Sequence, residues 1–456
     1  MSLQQHSRLA QSLLVLTACL PLAITWVIIP HPAVIIAMGM LPLLVIFVLK
    51  QPFLMVLLFV LFSFFRLHEV FPQLYTLRIP LLLSLASLGA LIWHVGLTQK
   101  VRPYWSPELS RASLFFVLVI LSIILASNKP IAISYFSSIY WKITVMTFAI
   151  AWLAQAEKDF SLSLRLITLS GLSVGLVALY NKVNGISLVE GTRVTIGRDL
   201  GSVLGDPNDL SLVLLFPYSF SLALMLSKNI SKQDRLLGLV AAVVLIMAIV
   251  ATQSRGGLLG ILAVSASFAW RRVKSKTLLI SCGALILPIL YVVAGISGRE
   301  SGGAHEEGID ESAMGRLHAW DAAFDMALDN PLSGVGIDNF YYNYFFYSDF
   351  WDGMNHAVHS TWFGVLGETG FVGLIIFLSM IFAVIRCAKN TLNTVSKQSN
   401  SYPAIITTIA EGILSGIIGF CVAGTFLTQG FTWPLYILLA FTVALSHFVS
   451  NYKRAS

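Results

Sequence analysis

The residues best suited to chemistry in this sequence are two histidines and two arginines, set in polar stretches of an otherwise apolar chain. His356 and His359 lie in HAVHSTWFG, Arg316 in GRLHAW and Arg255 in TQSRGG. A neutral imidazole takes a proton from a hydroxyl near pH 7, as a general base does. A fixed guanidinium, as at Arg255, holds a phosphate or pyrophosphate through two parallel hydrogen bonds. Together these residue types indicate proton transfer beside a bound phosphate group.

The spacing of the two histidines admits two interpretations. They are three positions apart, so they share one face if the helix that follows begins a turn early. A metal pair is one interpretation, but HxxxH is the commoner helical spacing and no third ligand is evident. The interpretation that we favour makes His359 the base and His356 a substrate-binding histidine. We accordingly predict no metal and no other cofactor.

The two arginines lie at predicted membrane boundaries. Arg255 falls in a tight connection between two apolar runs, where the following glycines would let a ligand approach the backbone. Arg316 lies beside Trp320 on an amphipathic helix predicted from Ser312 to the stop at Asn330. The alternative for both arginines is an anchor that extends its charge to lipid headgroups. We place both in the functional site, with Trp320 as a substrate-binding residue.

A second polar segment precedes the eighth predicted membrane span. Arg193 and Arg198 add positive charge there, and we predict that both bind substrate. The turn Asp206-Pro207-Asn208-Asp209 follows them. Because Asp and Asn side chains accept hydrogen bonds from the first backbone N–H groups of a helix, capping is the favoured role of Asp206 and Asn208.

Three ionisable residues fall inside predicted spans, namely Glu368, Lys142 and Glu411. Such groups are costly in a membrane unless they are paired or hydrated. Glu368 lies nine residues after His359, so on a regular helix the two face different directions and do not touch. Helix pairing explains Glu368 as well as a role in the site does, and we keep it as a substrate-binding candidate. The partners of Lys142 and Glu411 are open at this stage.

The composition is that of a polytopic membrane protein. Of 456 residues, 57% are hydrophobic and only 11% are charged, against about 45–50% and about 25% in soluble domains. Apolar runs long enough to cross a hydrocarbon core as helices recur along nearly the whole chain. We therefore predict an all-α bundle of 12–14 transmembrane helices with one large loop containing short amphipathic helices. The predicted spans are 11–29, 33–49, 52–65, 77–97, 112–127, 131–154, 162–183, 208–227, 235–252, 257–270, 277–296, 362–385, 403–427 and 431–448.

The charge distribution predicts an orientation for the bundle. Most of the 29 basic residues fall in loops and span ends on one side, whereas most of the 22 acidic residues do not. By the positive-inside rule both termini face the cytoplasm, and the loops 184–207 and 297–361 face the other compartment.

No cleavable signal is expected in the first apolar run. The four cysteines show no CxxC spacing, which favours small buried hydrophobes over zinc ligands.

The polar segments together resemble the O-antigen ligase and O-antigen polymerase superfamily of bacterial envelope enzymes. The motifs that carry the resemblance are Ser254-Arg255-Gly256 after a span, Gly315-Arg316 with Trp320, Pro331, Gly334 and Gly336, and His359 followed by Leu366, Glu368, Gly370 and Gly373. The resemblance covers about residues 200–375, and the ordered combination is specific although each piece alone is weak. Ser360 stands where the family often has asparagine.

The resemblance implies a membrane glycosyltransferase that moves a glycan from undecaprenyl pyrophosphate to an acceptor hydroxyl on lipid A core, a glycan or a protein. It implies that Arg255 and Arg316 hold the donor pyrophosphate and that His359 activates the acceptor. The site would then face the periplasm from the bacterial inner membrane. On this interpretation an N-terminal transmembrane bundle (1–200) precedes a ligase-like catalytic region (201–385) with the periplasmic loop 297–361, and C-terminal transmembrane helices (386–456) follow.

Other functions stay open at this stage. An O-antigen or exopolysaccharide polymerase uses a second lipid-linked glycan as acceptor and a protein O-oligosaccharyltransferase uses a protein, and the sequence does not separate these from a ligase. A transporter of lipid-linked sugars is the alternative outside enzymes, favoured by Lys142 and Glu411 within spans. Such transporters tend to have repeated halves, which the sequence does not show. No nucleic-acid partner is expected, because the basic residues follow the membrane topology.

Overall fold

A computed structural model describes residues 20, 23–29, 31–293, 305–306, 309–398 and 400–455. Within these residues nearly all regular structure is helical, and two short β-hairpins lie in connections. The prediction of an all-α polytopic bundle is therefore confirmed. Apolar runs become helices because a helix satisfies its own backbone hydrogen bonds where water is absent.

The first half of the chain, from Pro32 onward, folds into helices and one hairpin. The elements are α1 (Pro32–Lys50), α2 (Pro52–Phe64), α3 (Leu67–Val70), α4 (Ile79–Leu91), α5 (Pro107–Ile124), α6 (Lys129–Tyr135), α7 (Trp141–Leu153), α8 (Glu157–Asn184), β1 (Leu188–Val189) and β2 (Arg193–Val194). Turns of π-helix extend α4 to Leu97 and join α6 to α7. Leu188 pairs with Val194, and Val189 with Arg193, in the antiparallel hairpin.

The second half contains the longer polar connections. Its elements are α9 (Pro207–Leu226), α10 (Lys232–Ala251), α11 (Arg255–Arg272), α12 (Lys276–Val293), β3 (His305–Glu306), β4 (Ile309–Asp310), α13 (Glu311–Asp329), α14 (Phe340–Tyr347), α15 (Thr361–Lys397), α16 (Ala404–Ala423) and α17 (Trp433–Ala455). Short 3₁₀ turns lie at Arg198–Leu200, Val203–Gly205 and Gly424–Phe426. The amphipathic helix predicted from Ser312 is α13, and it ends before Asn330 as expected.

Nine helical segments of the described chain are long and apolar enough to cross a membrane. They match nine of the predicted spans, those at 77–97, 112–127, 131–154, 162–183, 208–227, 235–252, 362–385, 403–427 and 431–448. Helices α1 and α2 meet at a bend of 95° and add one broken span or a re-entrant loop, so the described residues give at most ten spans. The predicted span 257–270 corresponds to α11, which has arginines at both ends. The predicted span 11–29 lies largely outside the described residues.

Helix α9 forms the centre of the bundle. Most of its side chains are buried, and it packs against α8, α10, α11 and α16. Small residues allow the close approach, since a Cβ added at Gly238 of α10 would meet the backbone nitrogen of Met225 at 2.5 Å. The N-terminus of α9 is thereby fixed at one end of the bundle, beside the connections that follow α8, α10 and α16.

Ion pairs hold the opposite end of the bundle together. Arg165 of α8 pairs with Asp234 of α10 at 2.7 Å, and Arg272 of α11 pairs with Glu411 of α16 at 2.7 Å. Arg271 lies 3.9 Å from the same carboxylate. Glu411, open at the sequence level, therefore has arginine partners, as a carboxylate in a membrane span requires.

Helix α15 is not regular, because its backbone breaks at Gly370, where φ is 68° and ψ is −173°. The segment after α13 lies against this break: Phe371 donates its N–H to Pro331 at 2.9 Å, and Gly336 donates to Glu368 at 3.1 Å. A Cβ at Gly370 would meet the Pro331 carbonyl oxygen at 2.5 Å, so both the positive φ and the space require glycine. The break attaches the loop of α13 and α14 to the membrane-spanning bundle.

Candidate functional site

Four connections meet at the end of the bundle where α9 begins, and we call this the loop end. The β1–β2 hairpin contacts the connection between α10 and α11 through Thr192, whose hydroxyl lies 3.0 Å from the Gln253 side chain. Gln429, which precedes α17, donates to Asp209 of α9 at 2.8 Å. The Thr361 hydroxyl, at the start of α15, donates to the Leu427 carbonyl at 2.7 Å. The loop end is thus a network of polar contacts between elements far apart in sequence.

Arg255 and Arg316 line a single cavity of about 280 Å³ at the loop end. We call it the arginine cavity; its other lining residues are Leu259, Leu317, Trp320 and Phe426. The guanidinium carbon of Arg316 lies 5.9 Å from the centre of the Phe426 ring, within cation–π range. Two fixed positive charges in a mostly apolar cavity favour an anionic ligand, since little water screens them.

The local fold presents Arg255 at the first turn of α11. Ser254 caps that helix by accepting a hydrogen bond from the Gly257 N–H at 3.3 Å, and Gln253 before it has a positive φ of 53°. The positive end of the helix dipole adds to the charge of the guanidinium. One of the glycines has another role than the sequence suggested. A Cβ at Gly257 would meet Ser211 at 2.7 Å, so this glycine serves helix packing, whereas a Cβ at Gly256 would make only ordinary contact with Phe426 at 3.4 Å.

His359 lies in the connection before α15, with a positive φ of 44° that is unusual for a residue with a side chain. The condition for a shared helix face is not met, because α15 begins at Thr361, after both histidines, with Ser360 as its cap. Burial lowers the pKa of His359 below 6.5, and the positive charge of Arg316 lowers it further. The imidazole is therefore neutral near pH 7, as a general base must be.

The charges that act on His359 show which groups the fold brings together. Besides Arg316, the pKa of His359 is raised by Asp206 and lowered by His356 and Arg193. These groups come from the connections before α9 and α15, from β2 and from α13. The structure therefore brings Arg255, Arg316 and His359 to one end of the bundle, around the arginine cavity and the connection beside it.

His356 is held by a partner of its own. Its Nε2 lies 2.9 Å from one carboxylate oxygen of Asp352 and 3.0 Å from the other, and its ring meets Tyr344 edge-on at 5.3 Å. The Met354 N–H, and then His356, lower the pKa of Asp352, so the carboxylate stays ionised. His356 is thus fixed in the outer loop by Asp352, whereas His359 lies in the electrostatic field of Arg316.

The structure separates the two arginines predicted before α9. Arg193 is buried, donating to the Thr252 carbonyl at 3.2 Å and to Asn208 at 3.0 Å, with Glu190 at 3.6 Å. It therefore ties the hairpin to the connection that carries Arg255. Arg198 is exposed, and one guanidinium nitrogen donates to the Gly205 carbonyl at 3.4 Å. Of this pair, only Arg193 contacts the connection that carries Arg255, and Arg198 contacts Gly205 within its own connection.

Glu368 contacts backbone in the structure. It is 8% exposed, and its carboxylate accepts a hydrogen bond from the Phe340 N–H at 3.3 Å, at the first turn of α14. Asn339, at the N-cap position of α14, makes no side-chain cap bond, so Glu368 supplies the acceptor from another helix. As expected from the sequence, no contact with His359 is seen. This carboxylate positions α14 on the break in α15.

Sequence reasoning did not find every residue of the site. Asp206 caps α9 as predicted, accepting hydrogen bonds from the Asn208 N–H at 2.7 Å and the Asp209 N–H at 3.2 Å. The sequence did not predict that the charge of Asp206 would raise the pKa of His359. Phe426 was missed because a phenylalanine at the end of an apolar run carries no signal of its own. Among the residues that the structure describes, no group of three or more His, Cys, Asp or Glu side chains could hold a metal ion.

The fold and this site define a polytopic, all-α membrane protein with a cationic cavity beside a neutral histidine. Residues 240–378 match the family model described as O-antigen ligase. This stretch contains Arg255, Arg316 and His359, and over these residues the chain is similar to the O-antigen ligase superfamily. No curated protein matches the chain.

Proposed function

We propose that this protein transfers a glycan from undecaprenyl pyrophosphate to an acceptor hydroxyl, as an O-antigen ligase. The observation that carries the proposal is that Arg255 and Arg316 line one cavity while the charge of Arg316 acts on His359. A pyrophosphate needs paired cations, and an acceptor hydroxyl needs a neutral base. The family match over residues 240–378 supports a membrane glycosyltransferase of the ligase or polymerase type.

In the proposed reaction the acceptor oxygen forms a bond to the anomeric carbon of the first sugar. The bond from that carbon to the phosphate oxygen breaks, and the pyrophosphate leaves with the electron pair. The proton of the acceptor hydroxyl passes to the imidazole of His359. Arg255 and Arg316 stabilise the negative charge that grows on the leaving pyrophosphate, which is the role that a divalent metal has in other glycosyltransferases. We therefore predict activity without added metal.

We also propose an orientation in the bacterial inner membrane, with both termini cytoplasmic and the arginine cavity at the periplasmic face. The opposite end of the bundle carries Arg165, Arg271 and Arg272, and a surplus of basic residues is typical of the cytoplasmic side. A carrier lipid held in the outer leaflet would then present its pyrophosphate at the loop end.

The alternative enzymes differ from the proposed ligase in the acceptor that they use. A polymerase would use a second carrier-linked glycan, and a protein O-oligosaccharyltransferase would use a protein, through the same cavity and base. The family model is described as O-antigen ligase, and we adopt the ligase, with lipid A core as its acceptor, as our proposal on that basis. The transporter alternative is weakened, because Glu411 is paired with Arg271 and Arg272.

The test is glycan transfer by purified protein in liposomes that contain carrier-linked glycan and one acceptor at a time. We expect His359→Ala to lower the rate about 100-fold or more, and Arg255→Gln and Arg316→Gln each to lower it about 100-fold. Arg78→Gln, an exposed arginine that does not line the cavity, is the matched control and should transfer normally.

Three results would contradict the proposal. They are transfer by His359→Ala at the native rate, a loss of activity in EDTA that magnesium restores, and carrier flipping without transfer. Product length separates the enzymes, because a polymerase lengthens carrier-linked chains and a ligase moves them to lipid A core.

A further inference from the structure

A second concavity lies beside the arginine cavity. It has a volume of about 390 Å³ and is lined by Leu317, His318, Trp320, Asp321, Phe324 and Phe363. We call it the α13–α15 groove. Leu317 and Trp320 line both spaces, so the groove adjoins the arginine cavity. Each volume is near the lower end of the range for small-molecule sites, about 300–1,000 Å³.

The side chains of the groove combine aromatic faces with polar groups at its rim. The rings of Trp320 and Phe363 stack at 5.0 Å with an angle of 6°, and Phe324 packs edge-on against Phe371 at 5.9 Å. His318 stacks on Phe350 at 3.9 Å, which fixes the orientation of its imidazole. Asp321 is exposed and lines the same groove. Fixed aromatic surface with a carboxylate acceptor suits a ligand that is apolar on its faces and hydroxylated at its edges.

The negative charge along α13 further restricts the class of ligand that suits the groove. Asp321, Asp325 and Asp329 follow one another at four-residue spacing, and Asp321, Asp349 and Asp329 all help to raise the pKa of Asp325, after desolvation. This concentration of negative charge repels a phosphate or a lipid headgroup that carries one. It accepts hydrogen bonds from neutral hydroxyl or amide groups and attracts a cationic one. The charges of the arginine cavity therefore favour anions, and the charges beside the groove disfavour them.

We propose that the α13–α15 groove binds the sugar attached directly to the carrier pyrophosphate, and that Asp321 selects sugars without negative charge. The inference rests on the proposed function, which fills the arginine cavity with pyrophosphate. The first sugar is joined to that pyrophosphate by a single oxygen, so it must occupy space next to the cavity. Asp321 accepts a hydrogen bond from a sugar hydroxyl or amide, His318 contributes a second polar contact, and the aromatic side chains pack on the sugar faces.

The test compares the affinity of the purified protein for two probes, undecaprenyl pyrophosphate alone and the same carrier with one N-acetylhexosamine. For native protein we expect the sugar to tighten binding by about 10-fold, the effect of one hydrogen bond to a charged group. Asp321→Asn should remove most of this gain without weakening binding of the bare carrier. Asp329→Asn, an exposed carboxylate of the same helix that does not line the groove, is the matched control and should keep the gain.

The two proposals fail in distinguishable ways. If Arg255→Gln leaves the affinity for the bare carrier unchanged, the pyrophosphate assignment is wrong. If the bare carrier binds through Arg255 but Asp321→Asn keeps the full gain from the sugar, the groove inference is wrong. It is also wrong if a carrier-linked uronic acid binds native protein as tightly as the N-acetylhexosamine does, because Asp321 should repel a carboxylate. His318→Gln is a second variant, for which we expect a partial loss of the affinity that the sugar adds to the bare carrier.

Discussion

The indole Nε1 of Trp320 donates a hydrogen bond of 3.0 Å to the carbonyl oxygen of Val358, the residue that precedes His359. The same ring stacks on Phe363, which lies four residues after His359, in the first turn of α15. One side chain that lines the arginine cavity therefore holds the chain on both sides of the histidine. This contact couples the position of the proposed base to the proposed pyrophosphate site.

The first prediction concerns this hydrogen bond. Trp320→Phe keeps an aromatic ring but removes the donor to Val358, so His359 should be less well positioned. We expect the rate of transfer at saturating substrate to fall about 10-fold, with a smaller change in KM. Trp152→Phe is the matched control, since the Trp152 indole makes an equivalent 3.0 Å bond to the Tyr104 carbonyl away from the site. Equal loss of activity in both variants would show that only general stability is involved.

The second prediction concerns pH. Because the pKa of His359 is lowered by burial and by Arg316, the base is lost only when the pH falls through a value below 6.5. The acid limb of kcat/KM should therefore lie below pH 6.5 in native protein. Arg316→Gln removes one cause of the lowered pKa of His359, so the acid limb of its residual kcat/KM should move to higher pH. Arg316→Lys keeps the positive charge and should leave the acid limb in place. An acid limb that is the same in both variants would remove Arg316 from the environment of His359.

The third prediction concerns Arg193. Lysine keeps its charge but does not reproduce the fork that reaches both Thr252 and Asn208, so Arg193→Lys should loosen the connection that carries Arg255. We expect KM for the donor to rise several-fold and the thermal midpoint to fall, each lost bond contributing about 1 kcal/mol. Arg165→Lys, at the other end of the bundle, breaks a comparable fork with Asp234 and should lower the midpoint without changing KM. A KM that rises equally in both variants would contradict a specific role in positioning Arg255.

The fourth prediction separates a structural from a catalytic Glu368. Glutamine retains an acceptor for the Phe340 N–H, so Glu368→Gln should keep most of the activity, whereas Glu368→Ala leaves that N–H without its partner. We expect the alanine variant to lose about 1–2 kcal/mol of stability and to expose the connection 330–360 to protease. If glutamine and alanine abolish transfer equally while the fold persists, the carboxylate takes part in the chemistry.

Local features of the fold were predictable because they depend on neighbouring residues. The run from Ser312 to Asn330 has apolar residues at helical spacing and a proline stop, and it forms α13. Asp206 and Pro207 stand at the start of α9 in the order that a helix N-terminus prefers. Nine predicted spans are present for the same reason, since an apolar run of that length determines its own helix. The sequence predicted α1 and α2 as two separate spans, 33–49 and 52–65, and did not show that they meet at a 95° bend, because such a bend depends on packing beyond the run itself.

The sequence by itself determined that this protein is a helical membrane protein with arginines and histidines at the ends of its helices, because hydropathy and capping act over a few residues. Only the tertiary structure decided which of these groups share a cavity. The break at Gly370 and the positive φ of His359 turn the chain in ways that periodicity does not encode. Arg255 and Arg316 become neighbours of Phe426 through the packing of α11, α13 and α16, and such contacts are set by the shapes of distant segments.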